Sequence, residues 1–118
     1  MDRSRKTARS GKALGGALVI LSAAPWAWAA EDATQKLYEE KCLSCHTADG
    51  NAPVPEMNFV SGPWVHGSRI PDIVKVITDG VPGKAMNPFK DQLTKAQIDA
   101  LARYVRSFDK RLKKDPGK

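Results

Sequence analysis

Two cysteines and a histidine stand together in Cys42-Leu43-Ser44-Cys45-His46, and the rest of the chain adds only one histidine, His66. Four kinds of chemistry use such a cluster: a redox dithiol, part of a zinc site, a small disulfide loop, or covalent attachment of a haem. A thioredoxin-like dithiol sits beside a strand in a βαβ setting, and no strand pattern precedes Cys42. Zinc takes four ligands, so His66 would have to be the fourth, and there is no second C-x-x-C and no H-x₃₋₅-H. A bridge across two residues staples almost nothing. Haem uses all three side chains: the two thiols add to its vinyl groups and the adjacent His46 binds the iron.

The N-terminus bears on the compartment. Arg3, Arg5, Lys6, Arg9 and Lys12 form a basic head, an apolar run covers residues 13–24, and Ala27 and Ala29 follow at small-residue spacing. That order reads as a secretory leader, residues 1–29, cut after Ala29 or Ala30. The apolar run is short for a membrane span, so an uncleaved anchor is the weaker alternative. No twin arginine precedes the run, which favours export of an unfolded chain and addition of any cofactor outside the cytoplasm. The expected location is the oxidising periplasm, with no membrane span once the leader is removed.

The formal charge of +6 is misleading, because five basic residues lie in the leader. Residues 31–118 carry a net charge of +2, and residues 31–109 a net charge of −2. No basic stripe with interleaved aromatics is present, so nucleic-acid binding is excluded as the main reading. The remaining positive charge concentrates in KRLKKDPGK, residues 110–118, expected to be a solvated flexible tail. Residues 30–109 make one small domain, too small for a sizeable core, and such scaffolds commonly need a staple. The CLSCH cluster is the one on offer.

The positioning elements read as three helices and no convincing strand. The first is expected over about Thr34 to Cys45, with Leu37, Tyr38, Lys41, Cys42 and Cys45 at helical spacing, so that Tyr38 shares a face with both cysteines. The second is expected over Pro71 to Asp79, with Ile70, Ile73, Val74 and Ile77 as its stripe and Gly80 just past its end. The third is expected over Lys95 to Phe108, where Thr94 and Gln97 form a capping box and Ile98, Leu101, Ala102, Val105 and Phe108 line one face. Between them, residues 47–69 and 80–89 are dense in Gly and Pro. Loops that long in a small domain suggest a chain wrapped around something.

A bound iron needs a sixth ligand or an open site. Met86 lies in GKAMNPF, off any helical stripe, between a glycine turn and a proline. Met57 follows His46 by only eleven residues, too little chain to pass easily around a ring edge. His66 would give a bis-histidine iron. Met86 is the preferred partner of His46, since His/Met pairs serve in electron carriers and raise the potential.

With these stretches in place, residues 34–108 resemble the class I mono-haem cytochromes c. CLSCH is similar to that family's haem signature, GVPGKAMNPF to its distal methionine loop, and QLTKAQIDALARYVRSF to its C-terminal helix. The middle, PWVHGSRIPDIVKVITDG, resembles the subgroup of cytochrome domains in high-affinity terminal oxidases and periplasmic dehydrogenases. There the W-x-H-G stretch is ordinary, which weighs against His66 as a ligand. The resemblance implies a small all-α fold with long loops around one covalent haem c, iron held by His46 and Met86, and electron transfer rather than catalysis. It also implies that Tyr38 packs on the last helix near Tyr104. A carbonyl from Pro55 or Pro53 would accept the second nitrogen's proton from His46, and Trp64 and Arg69 would contact the propionates. Expected partners are redox proteins: a donor dehydrogenase or cytochrome, and an acceptor oxidase or reductase. The sequence departs from the pattern in two places: Asn87 and not proline follows Met86, and Thr34 stands where glycine is common. The competing classes are a fixed haem subunit of a dehydrogenase or oxidase complex, a ligand-binding or peroxidatic haem protein, and a thiol–disulfide enzyme.

Overall fold

The computed structural model describes residues 15–16 and 25–117; most of the expected leader lies outside them. Four α-helices and one short 3₁₀ turn are present, with no strand among the described residues. Helix α1 runs Pro25–Lys41, α2 Leu43–His46, α3 Ile70–Asp79 and α4 Lys95–Arg106, and the 3₁₀ turn is Pro55–Met57.

The first expected helix is therefore longer and broken. It starts at Pro25 because proline suits a first helical turn and the alanine-rich stretch behind it is a strong helix former. It breaks at Cys42, whose φ of −119° is far from the helical value near −63°. The hydrogen-bond ladder nevertheless crosses the break, from Cys42 N to the Tyr38 carbonyl at 2.8 Å and from His46 N to the Cys42 carbonyl at 2.9 Å. Helix α2 is thus a re-aimed last turn of α1. Helix α3 begins at Ile70, one residue before the expected Pro71, and α4 stops at Arg106, two before the expected Phe108. The capping box at the start of α4 is formed: Gln97 N donates to the Thr94 hydroxyl at 3.1 Å and Thr94 N to the Gln97 side chain at 2.9 Å.

Helix α4 is the hub and packs against both α1 and α3. Its stripe of Ile98, Leu101, Ala102 and Val105 is buried together with Ile70, Ile73, Ile77, Leu93 and Tyr38. Tyr38 is fully buried, with its ring 5.2 Å from that of Tyr104 and 5.6 Å from that of Phe108. The α1–α4 crossing is thus an aromatic contact, as expected.

The loops pack a few apolar side chains on the core and are otherwise tied down by hydrogen bonds. Asn58 donates to the Asn51 side chain and the Ala52 carbonyl and accepts from Val60 N and Ser61 N. That one residue folds 51–61 into a compact turn. Residues 80–90 double back on the end of α3: Phe89 N donates to the Ile77 carbonyl at 3.0 Å and Lys90 N to that of Thr78 at 3.3 Å. Gly80 permits this. Its φ is +68°, and a β-carbon there would collide with the backbone of residues 86–88.

Most of the C-terminal stretch is exposed, and two aspartates tie it to the domain. The Asp109 carboxylate is buried and accepts from Trp64 Nε1 at 2.9 Å and from Arg111 Nε and Nη2 at 2.8 and 2.7 Å. Asp115 accepts the Ile70 N–H at 2.6 Å, so it caps the first residue of α3, a position that has no side-chain cap of its own. An unpaired N–H and the positive end of the helix dipole both favour a carboxylate there. The charge count missed this because the two aspartates, not the lysines, make the contacts.

The Arg111 guanidinium, aided by the Trp64 N–H, holds the Asp109 carboxyl below the usual carboxylate range, against the opposing effect of burial. A depressed folded-state value contributes stability that is full above the unfolded value of about 3.9 and is lost as pH falls below it. The difference in thermal midpoint between wild type and Asp109→Asn is therefore expected to be largest at neutral pH and to shrink as pH drops from about 5 toward 2. Melting curves across that range check it; a pH-independent difference would mean that the carboxylate's charge is not what matters.

Candidate haem site

Helix α2 carries Cys45 and His46, with Cys42 at its N-cap. Its four residues are too few to be stable alone, so its orientation comes from α1 through the ladder across Cys42. Cys42 is half-buried and packs at the edge of the core, whereas Cys45 faces solvent. Neither cysteine is in a disulfide. Burial, reinforced by Cys45, pushes the Cys42 thiol up to about 11. Dithiol oxidoreductases have the opposite shift, a thiolate favoured at neutral pH.

His46 is half-buried, and its Nδ1 lies 2.8 Å from the carbonyl oxygen of Met57. A carbonyl only accepts, so Nδ1 carries the proton and Nε2 keeps a bare lone pair. Burial lowers the imidazole's proton affinity more than the Met57 carbonyl raises it, which favours the neutral form that a metal requires. The acceptor is Met57, which corrects the expectation of Pro55 or Pro53. The 3₁₀ turn explains the difference. Within it the Pro55 carbonyl accepts from Asn58 N at 3.2 Å and is packed against Gly62, so the next outward-facing carbonyl is that of Met57.

One face of the His46 ring is covered by Phe59, stacked at 4.3 Å with 17° between planes. Phe59 in turn stacks on Trp64 at 5.6 Å and lies parallel to Phe108 at 6.4 Å. Phe59 is a site residue that sequence reasoning missed. It lies in a loop without periodicity, and only its aromatic character marks it. Trp64 is a shelf behind Phe59, and its single N–H goes to Asp109. Arg69 stands just before α3, with Nη2 4.0 Å from an Asp115 carboxylate oxygen.

Met86 is half-buried and packs against the core cluster. Its carbonyl accepts from Val81 N at 3.0 Å and presses on Gly80. The methionine loop is thereby closed on itself and anchored to the end of α3. Asn87, in place of the usual proline, is accommodated without a further break. His66 is exposed and lines a surface groove with Lys75 and Asp79, on the outer side of α3. Two unbridged thiols of different burial, one imidazole with a free nitrogen and one partly buried thioether form a donor set that suits haem c.

A small helical domain with C-x-x-C-H on a short helix, and with its terminal helices crossing through aromatic rings, defines a c-type cytochrome. The chain belongs to the family described as cytochrome c oxidase, cbb3-type, subunit III, whose model matches residues 29–105. It is 34% identical over 75 residues to the cbb3-type cytochrome c oxidase subunit FixP of Bradyrhizobium sp. (strain ORS 278), covering 62% of this chain and 26% of that protein. It is also 34% identical over 85 residues to the subunit CcoP of Rhodobacter capsulatus, covering 64% of this chain and 28% of the relative. The chain thus spans about a quarter of the length of these relatives. Among solved structures it resembles the KustC0563 c-type cytochrome, with a TM-score of 0.55 and 33% identity, over 65% of this chain and 98% of that one. The all-α fold and haem c with its iron follow.

In haem-free protein, iodoacetamide at pH 8 is expected to modify exposed Cys45 well before Cys42. Only about one Cys42 in a thousand is a thiolate at that pH. Peptide mapping at early times checks this; equal rates would contradict the half-buried placement of Cys42.

Proposed function

We propose that Cys42 and Cys45 anchor the haem, that His46 and Met86 are its two axial ligands, and that the exported domain passes single electrons between redox proteins in the periplasm. The observation that carries this reading is the His46 tether. With Nδ1 held by Met57, the imidazole offers one nitrogen in one orientation, beside two unbridged cysteines on the same turn. Haem c bound there supplies a one-electron couple. With His46 and Met86 both holding the iron, no position on it would be left for a substrate, so no bond chemistry of its own is expected. The neutral, soft thioether of Met86 favours the reduced state, while the Met57 carbonyl strengthens His46 as a donor and favours the oxidised one. Exposed Cys45 and partly exposed Leu43 mark the edge where a partner would approach, through an interface at the small end of the usual range. The export motif of residues 1–29 supports the periplasmic location.

A second reading is favoured by the names of the relatives: the domain serves as a haem-bearing subunit within an oxidase of the cbb3 type. Purification from the native membrane separates the two, since a fixed subunit copurifies with an oxidase at stoichiometric ratio and a shuttle does not.

Intact mass of the exported protein tests the site. The expected result is loss of the leader together with a gain of one covalent haem, and loss of that gain in Cys42→Ala/Cys45→Ala. Protein with free thiols and no added mass would sink the assignment. For the sixth ligand, Met86→Ala is expected to lower the potential and to turn negligible carbon monoxide binding by the reduced protein into stoichiometric binding. An unchanged spectrum and unchanged carbon monoxide binding would exclude Met86.

A further inference from the structure

The residue immediately after His46 has an unusual backbone. Thr47 has φ 64° and ψ 163°, and it is the one non-glycine residue with positive φ among those described. That region is essentially reserved for glycine, because a β-carbon crowds the neighbouring peptide. Strain of this kind persists only where the surroundings over-determine it. Four hydrogen bonds do so here. Thr47 N closes α2 by donating to the Leu43 carbonyl at 2.9 Å. The Thr47 hydroxyl donates to Asp49 at 2.8 Å. The Thr47 carbonyl accepts from Gly50 N at 3.3 Å and from the hydroxyl of Tyr38 at 2.7 Å.

The Tyr38 hydroxyl is the strongest of these constraints. Its ring is fully buried at the α1–α4 crossing, wedged against Tyr104 and Phe108, so the hydroxyl has almost no freedom to move. Burial keeps it protonated, and hence a donor, throughout the working pH range. It is therefore a rigid link from the helix crossing to the peptide that leaves His46. The other end of His46 is set by the Met57 carbonyl, and the chain from Thr47 to Met57 joins the two.

We infer that Tyr38 is a positioning residue for the iron ligand: through its hydroxyl it holds Thr47 in a glycine-type conformation and thereby fixes the angle at which His46 is presented. This rests on the assignment of His46 as an axial ligand. It implies that the aromatic crossing has a second role besides packing, since it sets the potential of the site through one hydrogen bond.

The test compares haem-loaded wild type, Tyr38→Phe, Thr47→Gly and the double variant. Tyr38→Phe is expected to shift the midpoint potential and to move the hyperfine-shifted proton resonances of the His46 ring in the oxidised protein. Thr47→Gly is expected to raise the thermal midpoint and leave the potential unchanged. In the double variant the glycine holds the turn unaided, so potential and resonances return toward wild type. Lowered thermal stability in Tyr38→Phe with unchanged potential and ring resonances would reduce Tyr38 to packing and overturn the inference. A double variant shifted as far as Tyr38→Phe would do the same, as would Thr47→Gly with no gain in stability, a result readable even if Tyr38→Phe fails to fold. Wild-type protein without covalent haem would instead overturn the site assignment, and this inference with it.

Discussion

A histidine that is to bind a metal on one nitrogen has to be held by the other. In this domain the holding bond runs from His46 Nδ1 to the Met57 carbonyl, and it determines more than a tautomer. It requires that residues 47–57 return to within hydrogen-bonding distance of α2, so it dictates the path of the long loop. It also requires that Phe59, two residues on, lie flat on the imidazole, which places Trp64 and then Asp109 behind it. A single polar contact at the site thus extends as a chain of packed groups to the far end of α4.

The rest of the architecture supplies rigidity that a small apolar core cannot. The three helical stripes bury a compact set of aliphatic side chains with Tyr38 among them, but much of the chain is loop. Loops are held here by specific polar groups: the Asn58 side chain for the first, the backbone amides of Phe89 and Lys90 on the end of α3 for the second, and the Asp109 and Asp115 carboxylates for the C-terminal stretch. Each contact replaces water around a backbone or carboxylate group with a fixed partner, and a buried polar group without one is strongly disfavoured. The arrangement leaves the donor groups of the site on two well-anchored segments, α2 and the methionine loop.

Some of this was legible in the residues. The spacing of Cys42, Cys45 and His46 is a local pattern, and it specifies covalent haem because no other ligand set is within reach. The stripes of α3 and α4 follow from period alone, and the Thr94–Gln97 box from two residue types three apart. The aromatic meeting of Tyr38 and Tyr104 was implied by the family resemblance and is present. The acceptor for His46 was not legible. Pro53, Pro55 and Met57 all offer a carbonyl, and which one faces the imidazole depends on the turn of the backbone. Nor were the roles of Trp64, Phe59 and the C-terminal aspartates, since each partner lies far away in sequence or in a segment without periodicity.

Residue chemistry alone therefore determined the class of cofactor and the helical stripes, because these depend on side-chain type and short-range spacing. Long-range geometry determined which carbonyl orients His46, where the indole of Trp64 points, and that Asp115 caps a helix begun 45 residues earlier. It also placed Thr47 in a conformation that its own side chain disfavours. Such contacts close large loops, and their partners are selected by the packing of the whole chain, not by the residues that flank them.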